Sequence, residues 1–325
     1  MHHTMRATTS IALALAAATS VAPASARAFE VAYLHGLASP AGLLKASEAK
    51  LSWDAGNREL WVVTGGVARV FNQAGMETFA FGTSEELGMP RLVAGLEGGD
   101  LVVVSVNAER WRVTRCNFRG EVKGELTLAG APKGFLEGFQ PDGLVVRGDR
   151  IYLASFMALK VVGFGLDGAV FAARDFRDEI DFAGEEIDPR KVEEKKASAE
   201  MGGFDVDAEG NVLFTLRTMF AACVAPPQGK PMLFGTKGSA PGKFQVLSAI
   251  ARGDDGFIYV SDVLKNAVIV FDRKLNFVKE FGYRGNRPHS LVGPTDLVVA
   301  GNRLFVSQRA NRGVSVFRVS AASTQ

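Results

Sequence analysis

The chain predicts an all-β fold, a six-bladed β-propeller, on three observations. First, a short apolar strand recurs six times: ELWVVT from Glu59, DLVVVS from Asp100, RIYLAS from Arg150, NVLFTL from Asn211, FIYVSD from Phe257 and RLFVSQ from Arg303. Second, the residues Leu60, Leu101, Ile151, Val212, Ile258 and Leu304 within these strands lie 41, 50, 61, 46 and 46 residues apart. A repeat of about 40 to 50 residues made of strands and turns is one four-stranded propeller blade. Third, the last repeat ends at Ser320 with three strands, and FEVAYL, Phe29 to Leu34, fits nowhere else. Pairing it beside Val314 to Val319 closes the ring and removes an exposed sheet edge.

Residues 1–28 read as a signal peptide rather than as part of the domain. Arg6 supplies a positive start, Ile11 to Ala22 an alanine-rich apolar core, and Ala24-Ser25-Ala26 and Ala26-Arg27-Ala28 two small-x-small cleavage sites. The apolar run is short for a bilayer span, so the expectation is cleavage and a periplasmic or secreted protein. No later segment predicts a transmembrane span. The propeller then occupies 29–325.

Removing Arg6 and Arg27 from the 37 basic residues leaves 35, against 35 acidic ones. A formally neutral chain lacks the basic field that nucleic-acid binding uses to release counterions. The two cysteines, Cys116 and Cys223, fall in the third strands of the second and fourth repeats. Blades two apart in a ring do not touch, and a disulfide needs Cα atoms within about 7 Å. Two buried free thiols are therefore expected.

Within each repeat, a first strand follows a Pro or small residue, then come a Gly/Asp turn and three further strands. The fifth reads LSAIARGDDGFIYVSD (Leu247 to Asp262) and NAVIVFDRKLNFVKEFG (Asn266 to Gly282). The sixth reads PTDLVVAGNRLFVSQ (Pro294 to Gln308) and NRGVSVFRVS (Asn311 to Ser320). Alternating apolar residues bounded by Asp-Gly and Gly-Asn turns are what hairpin strands require. These two repeats resemble the NHL-repeat family, whose pattern runs Pro-x-Gly-apolar-Ala, Asp-Gly-x-apolar-Tyr-Val-x-Asp, then Asn-x-apolar-x-apolar-Phe. The resemblance implies a six-bladed propeller and is weak evidence for any activity.

Arg177 to Glu200 breaks the rhythm and accounts for the 61-residue interval. It carries nine acidic and five basic residues. Asp188 as N-cap and Pro189 at the first position predict a helix over Asp188 to Ala199. Ile180, Phe182 and Ile187 are expected to anchor the segment on the channel-mouth face, burying little area.

Propeller ligands meet the loops and first strands around the channel. Aligned on their second strands, the repeats place Arg91, Asp142, Gly202, Ser248 and Thr295 at one position, with Glu48 or Ala49 from the first repeat. Arg91, Asp142, Ser248 and Thr295 are the candidate ligand-binding residues of the channel mouth. No catalytic set emerges, and no cofactor is implied. Covalent haem has no C-x-x-C-H segment here, and neither a phosphate loop nor a Gly-x-Ser-x-Gly elbow is present. Paired carboxylates such as Asp205 and Asp207, Asp254 and Asp255, or Asp262 and Asp272 read mostly as turn residues.

Two propeller enzyme families resemble the chain. Amidating lyases of the NHL type hold zinc with histidines, but after the leader only His35 and His289 remain. Gluconolactonase-type lactonases hold a divalent cation with Glu, Asn and Asp from Glu-Gly-Pro-x-Trp, Pro-Asn-Gly and Pro-Asp-Gly segments. Here Glu48 precedes Trp53 by five residues instead of four, Asp142 stands for the Asn, and Gly202 stands for the last Asp. The first expectation is thus an exported, non-enzymatic propeller that binds a protein or small ligand on its loop face, alone or within an envelope complex. The alternative is a metal-dependent hydrolase or lyase using the channel.

Overall fold

Each second strand is apolar at consecutive positions because both its faces are covered. In the computed structural model, which describes residues 29–184 and 186–321, six buried apolar clusters fill six seams between neighbouring blades. Alternate residues of one strand serve alternate seams. Phe214 packs toward blade three and Leu213 toward blade five, as strand side chains alternate between faces. The signal-peptide expectation for 1–28 lies outside the described residues.

Blade one comprises Lys50–Asp54, Glu59–Thr64, Val67–Phe71 and Glu77–Phe81. Blade two comprises Met89–Gly95, Leu101–Asn107, Arg110–Cys116 and Val122–Glu125, and blade three Gly143–Arg147, Arg150–Ser155, Lys160–Phe164 and Val170–Asp175. Blade four comprises Met201–Val206, Val212–Leu216, Ala221–Ala225 and Met232–Phe234, and blade five Leu247–Arg252, Ile258–Asp262, Ala267–Phe271 and Phe277–Gly282. Each of these five sheets is an antiparallel four-stranded meander. The six first strands contact one another in chain order, and Pro294–Ala300 of blade six contacts Lys50–Asp54 of blade one. That closes the ring.

Blade six joins Pro294–Ala300, Arg303–Gln308 and Val314–Ala321 to the N-terminal strand Phe29–Gly36, in the register Phe29↔Ala321, Val31↔Val319 and Tyr33↔Phe317. The closure expected from the sequence is present, two residues longer than expected. Phe29 is buried against Phe257 of blade five, ring centroids 5.1 Å apart. Cys116 and Cys223 are buried free thiols.

The insertion departs from expectation. Its helix spans Pro189–Ser198, and the Asp188 side chain accepts from the Arg190 N–H at 3.0 Å as N-cap. A short helix, Phe176–Glu179, precedes it. Ile180 and Phe182 are buried with Phe176 in the seam between blades three and four, whereas Ile187 is 92% exposed. Ile187 is therefore no anchor, and the segment does fill core. Arg177 ties its two ends together by donating to the carbonyls of Lys196, Ala199 and Met157.

Candidate functional site: the central channel

First strands run from the mouth, where they begin, toward the opposite face. The channel they enclose has two chambers, a mouth chamber of about 620 Å³ and a deeper one of about 900 Å³. Lys50, Leu92, Asp142, Phe156, Gly202, Thr295 and Asp296 line both, and so mark the level where the chambers meet. At this level the Lys50 ammonium of blade one lies 5.1 Å from the centre of the Phe156 ring of blade three. The attraction of a cation to a ring face holds this contact across the channel.

Arg91, Asp142 and Thr295 line the mouth chamber. Arg91 is exposed and forms no ion pair among the described residues. The Asp142 carboxylate accepts from the Phe156 N–H at 2.9 Å, so it fixes the loop that carries the ring. Thr295 Oγ1 lies 3.4 Å from Ser307 Oγ.

Ser248 is a correction. It is 1% exposed and lines neither chamber. Its hydroxyl meets Ser261 Oγ at 2.8 Å and donates to the Pro294 carbonyl at 2.6 Å, which staples blade five to blade six. A buried hydroxyl with partners on both sides is structural.

Other blades are stapled in related ways. Asp296 accepts from the Leu51 N–H at 2.8 Å, linking blade six to blade one. Burial holds the Asp296 carboxyl above the ordinary carboxylate range, against the pull of Lys50. Asp205 is also a correction, because it sits in an inner strand instead of a turn. Its carboxylate receives Arg147 Nη2 at 2.8 Å and the Arg252 N–H at 3.0 Å, so it joins blades three, four and five. Burial raises Asp205, opposed by the Arg147 guanidinium and these N–H groups. Arg252 also pairs with Asp207 at 2.5 Å.

On the rim, Glu48 pairs with Arg309 at 2.7 Å and Glu200 with Arg217 at 3.8 Å. Ala49 is fully buried, so Glu48 is the rim member of the first repeat. Sequence alignment of second strands missed Lys50, Phe156, Arg217 and Asp296. None occupies the aligned position, and Lys50 and Phe156 become neighbours only through ring curvature.

Neither His35 nor His289 reaches the channel. His35 belongs to the outermost strand of blade six, and His289 is exposed in the connection from blade five to blade six. Among the described residues, no three His, Cys, Asp or Glu side chains converge in a metal-binding group.

No family model matches the chain, and no curated protein matches its sequence. Solved structures do. Virginiamycin B lyase from Staphylococcus aureus is similar over 90% of this chain and 100% of that chain, at 11% identity and a TM-score of 0.57. A putative gluconolactonase is similar over 91% and 94% of the two chains, at 11% identity and a TM-score of 0.57. A luciferin-regenerating enzyme is similar over 90% and 95%, at 10% identity and a TM-score of 0.58. At such identities the likeness is one of fold: this chain, like them, is a six-bladed β-propeller.

Proposed function

We propose that this protein is an exported, non-enzymatic propeller of the NHL-repeat type that binds a small anionic ligand in its channel mouth. One observation carries the reading. Among the described residues, Arg91 and Lys50 line the mouth chamber without an ion-pair partner, whereas the neighbouring Arg217 and Arg309 are paired. The facing carboxylates of Asp142 and Asp296 already accept backbone N–H groups. Two cations without an ion-pair partner in a concave, partly desolvated site favour an anion of matching size.

The test is a thermal-shift titration with phosphate, succinate and citrate. At least one of these anions is expected to raise the melting temperature of the parent and to leave the Lys50→Met/Arg91→Ala double variant unshifted. No shift with any of them, or an equal shift in the variant, overturns the reading.

A second reading, metal-dependent hydrolysis or lyase chemistry in the channel, draws on the three enzyme-named fold neighbours. One neighbouring structure is described as a catalytically inactive histidine-to-alanine variant of virginiamycin B lyase with quinupristin. Among the described residues the fit to such chemistry is poor, since neither His35 nor His289 faces the channel and the channel carboxylates are spread around the ring. Metal analysis of purified protein decides the matter. A stoichiometric divalent ion lost in Asp142→Ala would favour the enzyme.

A further inference from the structure

Charge is unevenly spread over the mouth face. Residues 29–325 balance 35 basic against 35 acidic residues, yet one corner of this face, over blades five and six, is basic. Four segments meet there: the connections 235–247 and 280–293, and the turns 262–266 and 308–313. Their acidic residues are Asp262 and Glu280 alone, against seven lysines and arginines. Both carboxylates are withdrawn from solvent. Asp262 is fully buried and accepts the N–H groups of Gln245, Val246, Leu264 and Lys265. Glu280 is buried against Lys265 Nζ at 2.6 Å and accepts the Gly242 N–H at 3.0 Å.

What remains outside is cationic and apolar. Arg309 pairs with Glu48. Lys237, Lys243, Arg284, Arg287 and Arg312 are exposed and form no ion pair among the described residues. Grouped cations on a formally neutral chain make a local positive field. Among them Val246, Leu264 and Tyr283 are 39%, 61% and 50% exposed. Asp262 fixes the backbone of the first two, and Tyr283 lies beside Glu280. Apolar tips on loop ends, ringed by long cationic side chains, match a bilayer interface. Headgroup phosphates meet the cations, aliphatic tips enter the upper acyl chains, and a tyrosine suits the boundary. A purely acidic partner would answer the charge but not the tips.

We infer that this corner docks the protein on an anionic phospholipid surface, with the mouth face toward the bilayer. The inference goes beyond the anion reading of the channel, since Lys50 and Arg91 take no part in it. The two therefore fail separately.

Purified parent and variants with the same N-terminus are sedimented with vesicles of phosphatidylglycerol and phosphatidylcholine, or of phosphatidylcholine alone. The parent is expected to pellet with the anionic vesicles only, several-fold less when salt rises from about 0.1 M to about 0.5 M. Arg284→Glu/Arg287→Glu should lose this binding at an unchanged melting temperature, because both side chains are exposed. Lys50→Met/Arg91→Ala should pellet like the parent. In Leu264→Trp, anionic vesicles carrying brominated acyl chains should quench the added indole. Absence of pelleting, equal pelleting with neutral vesicles, or full binding by the charge-reversed variant would overturn the inference. Salt-sensitive binding without quenching in Leu264→Trp would overturn insertion, and would mark a patch that an acidic protein fits equally well.

Discussion

Lys50 Nζ of blade one and the Phe156 ring of blade three meet across the channel at 5.1 Å, a contact that passes over blade two. The ring shields one side of the ammonium, and the loop that carries it is fixed by Asp142. Replacing Phe156 by Ala should merge the two chambers and uncover Lys50. Acylation of Lys50 by acetic anhydride, followed by peptide mass spectrometry, is expected to run several-fold faster in Phe156→Ala than in the parent. An unchanged rate would show that the ring does not guard the amine.

The terminal closure sets the stability of the whole ring. Removing Phe29 to Leu34 strips the outer strand from blade six and the Phe29 ring from the Phe257 contact. Burial of a Phe contributes about 1.5–3 kcal/mol by itself, and the freed strand edge adds to the loss. The truncated protein should melt cooperatively at a clearly lower temperature. A truncation that melts like the parent refutes the role of this strand.

The insertion should divide into a structural part and a neutral part. Phe182 is 5% exposed in the seam of blades three and four, so Phe182→Ala is expected to cost about 3 kcal/mol in chemical denaturation. Ile187→Ala, at a position 92% exposed, should stay within about 0.5 kcal/mol of the parent. Replacing Asp178 to Ala199 by a Gly/Ser linker should therefore lower stability. Equal effects of the two point substitutions would contradict this division.

Asp296 gives the channel a pH signature. Its carboxyl is raised by burial, so the protonated form is favoured in the folded state. Its contribution is full below the unfolded value and is lost as pH rises through the folded one. Asp296→Asn keeps an acceptor for the Leu51 N–H and carries no such loss. The melting temperature of the variant minus that of the parent should grow between pH 4 and pH 8. A difference that shrinks with pH would mean that attraction to Lys50 outweighs burial.

Both cysteines should remain reduced and slow to react. Burial pushes the Cys116 thiol up to about 11 and the Cys223 thiol higher still, and thiolate is the reactive species. Neither should react with a disulfide reagent at pH 8 until the protein is denatured, when two thiols should titrate. Non-reducing mass analysis that finds a Cys116–Cys223 bridge would be incompatible with their separate blades.

The fold was legible in the sequence because it depends on patterns within each repeat. Second strands are covered on both faces, so DLVVVS and RIYLAS read as continuous apolar runs whatever their neighbours are. The missing strand of the last repeat and the spare strand at Phe29 pointed to closure by simple count. Parts of the insertion were legible too: Asp188-Pro189 starts the helix as capping chemistry requires. Its contribution to the core was not, since a run rich in charge conceals two buried apolar side chains whose seam is formed by blades distant in sequence. The channel was decided by tertiary structure. The first strands of blades two, four, five and six each shift register within the strand, and a one-residue slip exchanges the side facing the channel for the side facing the sheet. The aligned position therefore turns Arg91 to the rim and Ser248 into a seam. The Arg217 guanidinium of blade four and the Leu247 carbonyl of blade five meet at 3.2 Å only in the closed ring, because hydrogen-bond satisfaction is a property of space and not of spacing.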